Sequence, residues 1–273
     1  MHIQKKPARI INTILLGILA VIWILPVFFV ITNLFKTRQE YNLGSFWAWP
    51  TSNMFMANYH QLLNGMPIFT SMLNGLLYSL CGACLSVIIG VLAGYGIANL
   101  KIRHKAFWFF FIYAGNIFPF QLYLIPTYKM YLTTGLYDSR LGLILFYTAI
   151  CIPFVMFVMR NNFLSINKEI CESAKIEGAT DFQVLCKLLL PMTQSAMAVI
   201  FLTQFSWCWN DLLFGLTLIK SETIQTIMPL ISMMDKANAP VVFMVCIIVS
   251  IPTLFMFFLL QKNTETGLVY TSK

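Results

Sequence analysis

The chain has 273 residues, 59% of them hydrophobic and only 10% charged, with a net charge of +8 and a mean hydropathy of +0.76. A soluble domain carries roughly 25% charged residues, so this composition excludes a water-soluble fold. The basic residues punctuate apolar segments instead of forming one patch, which excludes a nucleic-acid surface and reads as membrane topology.

In chain order, Lys5, Lys6 and Arg9 precede a run with no charge before Lys36. Ile10 to Phe35 is long enough to cross a hydrocarbon core, which takes about 20 helical residues. It is too long for a signal peptide and has no small-residue cleavage site after it, so it reads as a retained first span, bent at Pro26. Lys36 to about Phe69 is mixed in character and predicts an outer loop with a short surface helix. The second span, about Ser71 to Leu100, carries Gly82, Ser86, Gly90, Gly94 and Ala98 at every fourth position. Such a stripe lets a neighbouring helix approach closely in lipid and is a packing feature.

A short basic loop of Lys101, Arg103 and Lys105 leads to a third span, about Ala106 to Tyr128. It holds Asn116, Pro119, Gln121 and Pro126, so a kinked, polar middle is expected, with neighbours or water satisfying the freed backbone groups. After a turn around Thr133 to Ser139, the fourth span runs from about Leu141 to Met159 and contains Pro153. The fifth, about Met192 to Leu218, holds a cluster of Trp207, Trp209, Asn210 and Asp211 toward its end, and the sixth covers about Ala239 to Gln261.

The fold class is therefore an all-α integral membrane protein with six transmembrane helices and both termini on one side. Segments assigned to the inside hold twelve of the 18 Lys and Arg residues and the outer segments six, which places both termini in the cytoplasm of a bacterial cell. The seven cysteines lie mostly in apolar runs, as Cys81, Cys84, Cys151, Cys208 and Cys246 do, and read as small helix residues. His2, His60 and His104 are too scattered for a metal site. No phosphate-binding glycine loop and no nucleophile with a base are present, so no catalytic residue is assigned.

The longest polar interruption of the back half, Glu169 to Met192, reads as two short helices joined by a tight turn. Lys168 and Glu172 stand at i,i+4, a spacing that supports a helix modestly. Gly178 stops that helix, because a glycine takes the left-handed conformation that closes the last carbonyls. Thr180 and Gln183 have capping-box spacing, so a second helix begins there and runs to about Leu190, where Pro191 ends it.

Glu172-Ser173-Ala174, then Gly178 with Ala179, then Leu188, Leu190 and Pro191 resemble the EAA loop of permease subunits of ATP-binding-cassette importers. Ser173 stands where the pattern has alanine and Leu188 where it has isoleucine. Asn58-Tyr59, Tyr95, Ala98 with Asn99, Ile125-Pro126 and Trp209-Asn210-Asp211 resemble the carbohydrate class, specifically the maltose-type second permease. The tail departs from that class, since Gln261 to Lys273 shows only Gly267 where a glycine-rich basic stretch is usual.

The resemblance implies a type I importer transmembrane fold, divided as 1–70 for the first span and outer loop, 71–262 for the permease core with its coupling loop at about 165–190, and 263–273 for a cytoplasmic tail. It also implies a coupling helix seated on a separate ATPase dimer that binds ATP and Mg, with no cofactor on this chain. A second permease subunit, a different chain by inheritance from the subfamily, and an extracytoplasmic solute-binding protein complete the implied assembly, and a sugar or oligosaccharide is the implied cargo.

For the solute path, Asp211 is the most informative residue, because a carboxylate within a span normally faces a wet cavity or a partner. The alternative is a structural role, near the outer end of the span or paired with Asn210 or a partner. Trp207 and Trp209 either stack on a sugar ring or anchor the span at the membrane interface. Asn116 and Gln121 either line the path or hydrogen-bond another helix. The competing function is a stand-alone secondary transporter or channel, which is expected to carry paired intramembrane acids or an ion-coordinating broken helix. Only Asp211 approaches that.

Overall fold

The computed structural model describes residues 6–44 and 46–270, and side chains over 10–44 and 46–262. Its α-helices in chain order are α1 (Lys6–Asn33), α2 (Arg38–Asn42), α3 (Phe55–Gly65), α4 (Ile68–Asn99), α5 (Lys105–Tyr113), α6 (Leu124–Thr134) and α7 (Arg140–Ser165). They continue as α8 (Lys168–Ile176), α9 (Asp181–Gln183), α10 (Leu190–Met192), α11 (Gln194–Trp209), α12 (Leu213–Leu218), α13 (Ile227–Ser232) and α14 (Ala239–Tyr270). No strand occurs among the described residues.

Among the described residues, four helices are long and apolar enough to cross a membrane, over Ile10–Asn33, Ile68–Asn99, Arg140–Ser165 and Ala239–Lys262. The number rises to six if each of two sharply bent helix pairs crosses once. One pair replaces the kinked third span: the chain breaks by 91° between Lys105–Asn116 and Phe120–Thr134. Pro119 begins the second arm, and the Tyr123 hydroxyl donates to the Gly115 carbonyl at 2.9 Å, satisfying one of the backbone groups that the break frees. The other pair joins Asp181–Met192 to Gln194–Trp209 at 81°. The fifth span is thus shorter than expected, ending at Trp209, with α12 a separate short helix. The fourth is longer and runs on to Ser165.

The chain forms two compact units, Met1–Ile68 with Met233–Ser250, and Phe69–Ser232 with Ile251–Lys273. By contacts the chain divides after Ile68, and 233–250 belongs to the first of these units. The last helix reaches Tyr270, so most of the expected tail is helical, and its final three residues lie outside the described ones.

In the first unit, the end of α1 is tied to the loop by polar side chains. Lys36 Nζ donates to Asn33 Oδ1 at 2.8 Å and to the Phe46 carbonyl at 3.2 Å, and Asn58 Nδ2 donates to the Leu34 and Lys36 carbonyls at 2.8 and 3.1 Å. Arg38 pairs with Asp235 at 3.2 Å, and Phe243 meets Phe29 and Tyr41 edge-on.

In the second unit the small-residue stripe brings α4 against α7. A Cβ on Gly82 would stand 2.8 Å from Tyr147 Cβ, one on Gly90 2.6 Å from Val155 Cβ, and one on Gly94 3.0 Å from the Arg160 backbone nitrogen. Both ends of α4 hold other segments: Asn74 Nδ2 and Tyr78 Oη donate to the carbonyls of Thr223, Gln225 and Ile224 at 2.8–3.2 Å, while its last turns reach α8 and α9.

Candidate coupling and solute-path sites

The stretch after α7 is built from its caps. Asn167 caps α8 by accepting from the Glu169 N–H at 3.2 Å. At the other end Gly178 takes φ +91, its N–H reaches the Lys175 carbonyl at 3.0 Å and the Ala179 N–H reaches the Ala174 carbonyl at 2.9 Å. These two bonds make a Schellman closure, and Ala174 and Ala179 both pack against the buried cluster beneath it. Thr180 and Gln183 form the reciprocal capping box, at 3.3 and 2.9 Å. The residues 184–189 that follow are π-helical, immediately before Pro191. A proline has no N–H to give and its ring crowds the carbonyl four residues back, which accounts for the widened turn. Thr193 closes the bend by donating from Oγ1 to the Leu189 carbonyl at 2.9 Å.

One face of this hairpin is buried. Cys171, Val184, Leu185 and Leu189 pack with Val91, Tyr95, Ala98, Val155, Met159 and Phe163 of α4 and α7, and Leu188 and Leu190 join at the edge. Asp181 joins three elements, paired with Lys175 of α8 at 2.5 Å and accepting from Tyr95 Oη of α4 at 3.3 Å. The Lys175 ammonium holds the Asp181 carboxyl below its ordinary pKa, outweighing the opposing effect of desolvation. Lys168 and Glu172, expected to support each other, do not approach within ion-pair distance. The order Lys before Glu is the weaker one against the helix dipole, and both side chains are exposed.

The opposite face is open. Glu172, Ser173, Gly178 and Pro191 are exposed, and two large apolar side chains project with them, Ile176 at 87% and Phe182 at 67% of full exposure. A polar patch with two protruding apolar knobs, fixed from behind by a packed core, is suited to seating in a partner's groove.

The solute-path candidates separate. Asn116 and Trp207 line one cavity of about 500 Å³, together with Gln204, Thr203, Phe120 and Phe154 among others. Trp207 meets Phe120 and Tyr147 edge-on, each at 6.1 Å. Gln121, Asn210 and Asp211 do not line it. Asn210 Nδ2 donates back to the Ser206 carbonyl at 2.7 Å, and Gln121 is exposed. Asp211 is buried and accepts from Tyr147 Oη at 2.9 Å and from the Gly215 and Phe214 N–H groups at 2.9 and 3.4 Å, so it caps α12. Trp209 is 2% exposed and stacks on Phe205, inside the protein. Gln204 and Asp181 were not picked out by sequence. Gln204 sits in an apolar run, and Asp181 looks like an ordinary acidic residue in a first helical turn, so only the fold reveals their neighbours.

A family model described as binding-protein-dependent transport system inner membrane component matches residues 86–268. The sulfoquinovosyl glycerol transport system permease protein SmoH of Agrobacterium fabrum is 26% identical over 96% of this chain and 92% of its own. The diacetylchitobiose uptake system permease protein NgcG of Streptomyces coelicolor is 29% identical over 76% and 68%. Among solved structures, a bacterial ABC transporter involved in the import of the acidic polysaccharide alginate superposes with a TM-score of 0.80 at 24% identity, covering 96% of this chain and 99% of that one, which shows a shared fold. With the family model spanning most of the chain, the loop at 168–192 and the helical architecture, this chain belongs to the binding-protein-dependent transport system inner membrane components and is a multi-pass membrane permease subunit of an ATP-binding-cassette importer.

Proposed function

We propose that this permease imports a sugar or oligosaccharide, with α8 and α9 as the lever that receives the closing motion of a separate ATPase dimer. ATP and Mg bind on that dimer, and this chain contributes no catalytic group. A second permease chain, different from this one, completes the pathway, and an extracytoplasmic binding protein delivers the cargo. Both termini lie in the cytoplasm, as the Lys and Arg distribution implies.

The observation that carries the coupling role is the two-faced hairpin: Glu172, Ser173, Ile176 and Phe182 exposed, with Cys171, Val184, Leu185 and Leu189 locked under α4 and α7. A push on the exposed face is delivered to two long helices without slack. The sugar reading is supported by the cargoes named for SmoH and NgcG, and by the cavity that Asn116, Gln204 and Trp207 line together. Aromatic surface with a few polar groups suits a sugar, whose ring has apolar faces and hydroxyl edges.

The test is Gly178→Val in the complete transporter reconstituted in liposomes. At φ +91 a β-branched residue is strained by about 1–2 kcal/mol, so the closure between α8 and α9 should open. Nothing lies within 4 Å of the added Cβ, so packing is spared. Uptake should fall at least tenfold while ATP hydrolysis persists. Uptake that continues after the partner ATPase is omitted would identify a stand-alone carrier instead.

A further inference from the structure

A second cavity of about 500 Å³ lies between the last turn of α4, the start of α5 and α8, well apart from the solute-path candidates. Lys101, Lys105, Lys168 and Lys175 line it against a single carboxylate, Glu172. Lys175 is paired with Asp181, but no carboxylate comes within 4 Å of Lys101, Lys105 or Lys168 among the described residues. Three ammonium groups around one concavity repel each other and gain from a shared anion. Two helices begin at its wall, α5 at Lys105 and α8 at Lys168, and α5 has no side-chain cap on its first turn. The uncapped N–H end of α5 adds partial positive charge on the same side, while that of α8 is capped by Asn167.

The wall also holds Asn99, whose Nδ2 makes only a long 3.8 Å contact to Cys171 Sγ and whose Oδ1 has no partner. That amide is committed to no strong internal hydrogen bond. Directly beyond Lys105 the exposed face of α5 is aromatic, with Phe107, Trp108, Phe110 and Phe111 between 47% and 65% exposed. Basic side chains next to exposed tryptophan and phenylalanine mark a membrane surface, with the cations at headgroup level and the rings just below. The apolar knobs of the lever, Ile176 and Phe182, are not part of this lining, whereas Glu172 belongs both to it and to the face offered to the ATPase.

We propose that this cavity binds a phosphate group, supplied by the headgroup of an anionic phospholipid, and that Lys101, Lys105 and Lys168 hold it. Its wall includes Glu172 and Lys175, so the bound headgroup would sit against the lever that the import reading assigns to coupling. Binding itself is measured without that reading, on the purified chain alone.

The full chain in mild detergent would be titrated with short-chain phosphatidylglycerol, phosphatidylcholine and inorganic phosphate, with bound ligand read by native mass spectrometry. Phosphatidylglycerol should bind more tightly than phosphatidylcholine, and Lys101→Gln, Lys105→Gln and Lys168→Gln together should weaken it about tenfold or more. Lys129→Gln, Lys220→Gln and Lys236→Gln, an equal loss of charge elsewhere, should change it less than twofold. Inorganic phosphate binding as well as the lipid, with the same lysine dependence, would support the phosphate site and assign it to a soluble ester. Equal losses in both triple variants would overturn the proposal, because binding would then follow net charge alone. So would the absence of phosphate or lipid binding, with the three lysines shielded from acetylation only when the ATPase is bound, since the anion would then be an acidic side chain of that partner.

Discussion

At the scale of single residues, glycines of one helix have different jobs that spacing alone does not separate. Gly90 has Val155 Cβ and Cγ1 at 2.6 Å from where its own Cβ would be, whereas at Gly96 the nearest such atom is Ile102 Cδ1 at 3.5 Å. Gly90→Leu should therefore force α4 from α7 and cost about 1–3 kcal/mol. Gly96→Ala should be close to neutral, and thermal unfolding of the two variants in detergent would separate them. Trp207 and Gln204 show a similar contrast with Asp211. The first two line the cavity, while Asp211 is occupied with Tyr147 and the first turn of α12. Gln204→Ala should raise the uptake KM about tenfold, the value of one hydrogen bond of about 1.4 kcal/mol. Trp207→Ala should do at least as much, and transport assays over a range of sugar concentrations would show it as a change in KM more than in kcat.

The element on which the proposed coupling turns is the α8–α9 hairpin, and its caps are local. The Asn167 cap, the glycine closure and the Thr180–Gln183 box all lie within a few residues of the groups they satisfy, so a linear reading finds the latter two. The Asp181 contact to Tyr95 spans 86 residues and no local pattern announces it. Because Lys175 depresses the Asp181 pKa, the pair stabilises the hairpin above the ordinary carboxylate value and loses that effect as pH falls through the lowered one. Amide exchange at 175–183 should therefore quicken below about pH 4. In Asp181→Asn the same segment should exchange faster already at neutral pH and lose that acid step. The effect is modest in either case, since both partners are substantially exposed. The broken span is the reverse situation. Pro119 and Pro126 were visible as a kink, but a 91° turn held by Tyr123 and Gly115 depends on which side chain is near the freed carbonyl.

For the whole molecule, topology is the quantity on which coupling depends, and it has a direct check. With native cysteines replaced, a single cysteine at Glu177 should react with an impermeant maleimide only after the membrane is opened. One at Glu222, beside the segment held by the first turns of α4, should react in intact cells. The opposite pattern would put the lever on the wrong side of the membrane. Composition and the uninterrupted apolar runs were enough to establish a helical membrane protein, because lipid leaves an isolated span no other way to satisfy its backbone. The spacing of Gly178, Thr180, Gln183 and Pro191 was enough to place the turn between α8 and α9 and the end that follows, because each cap and breaker acts within a turn or two of itself. Tertiary structure alone decided that Asn116 and Trp207 share a cavity with Gln204, that Asp211 is a cap, and that three lysines from two distant segments line one concavity. Those facts depend on which segments meet across many tens of residues, and in a chain this uniformly apolar the hydrophobic pattern marks what is buried or lipid-facing without naming its neighbour.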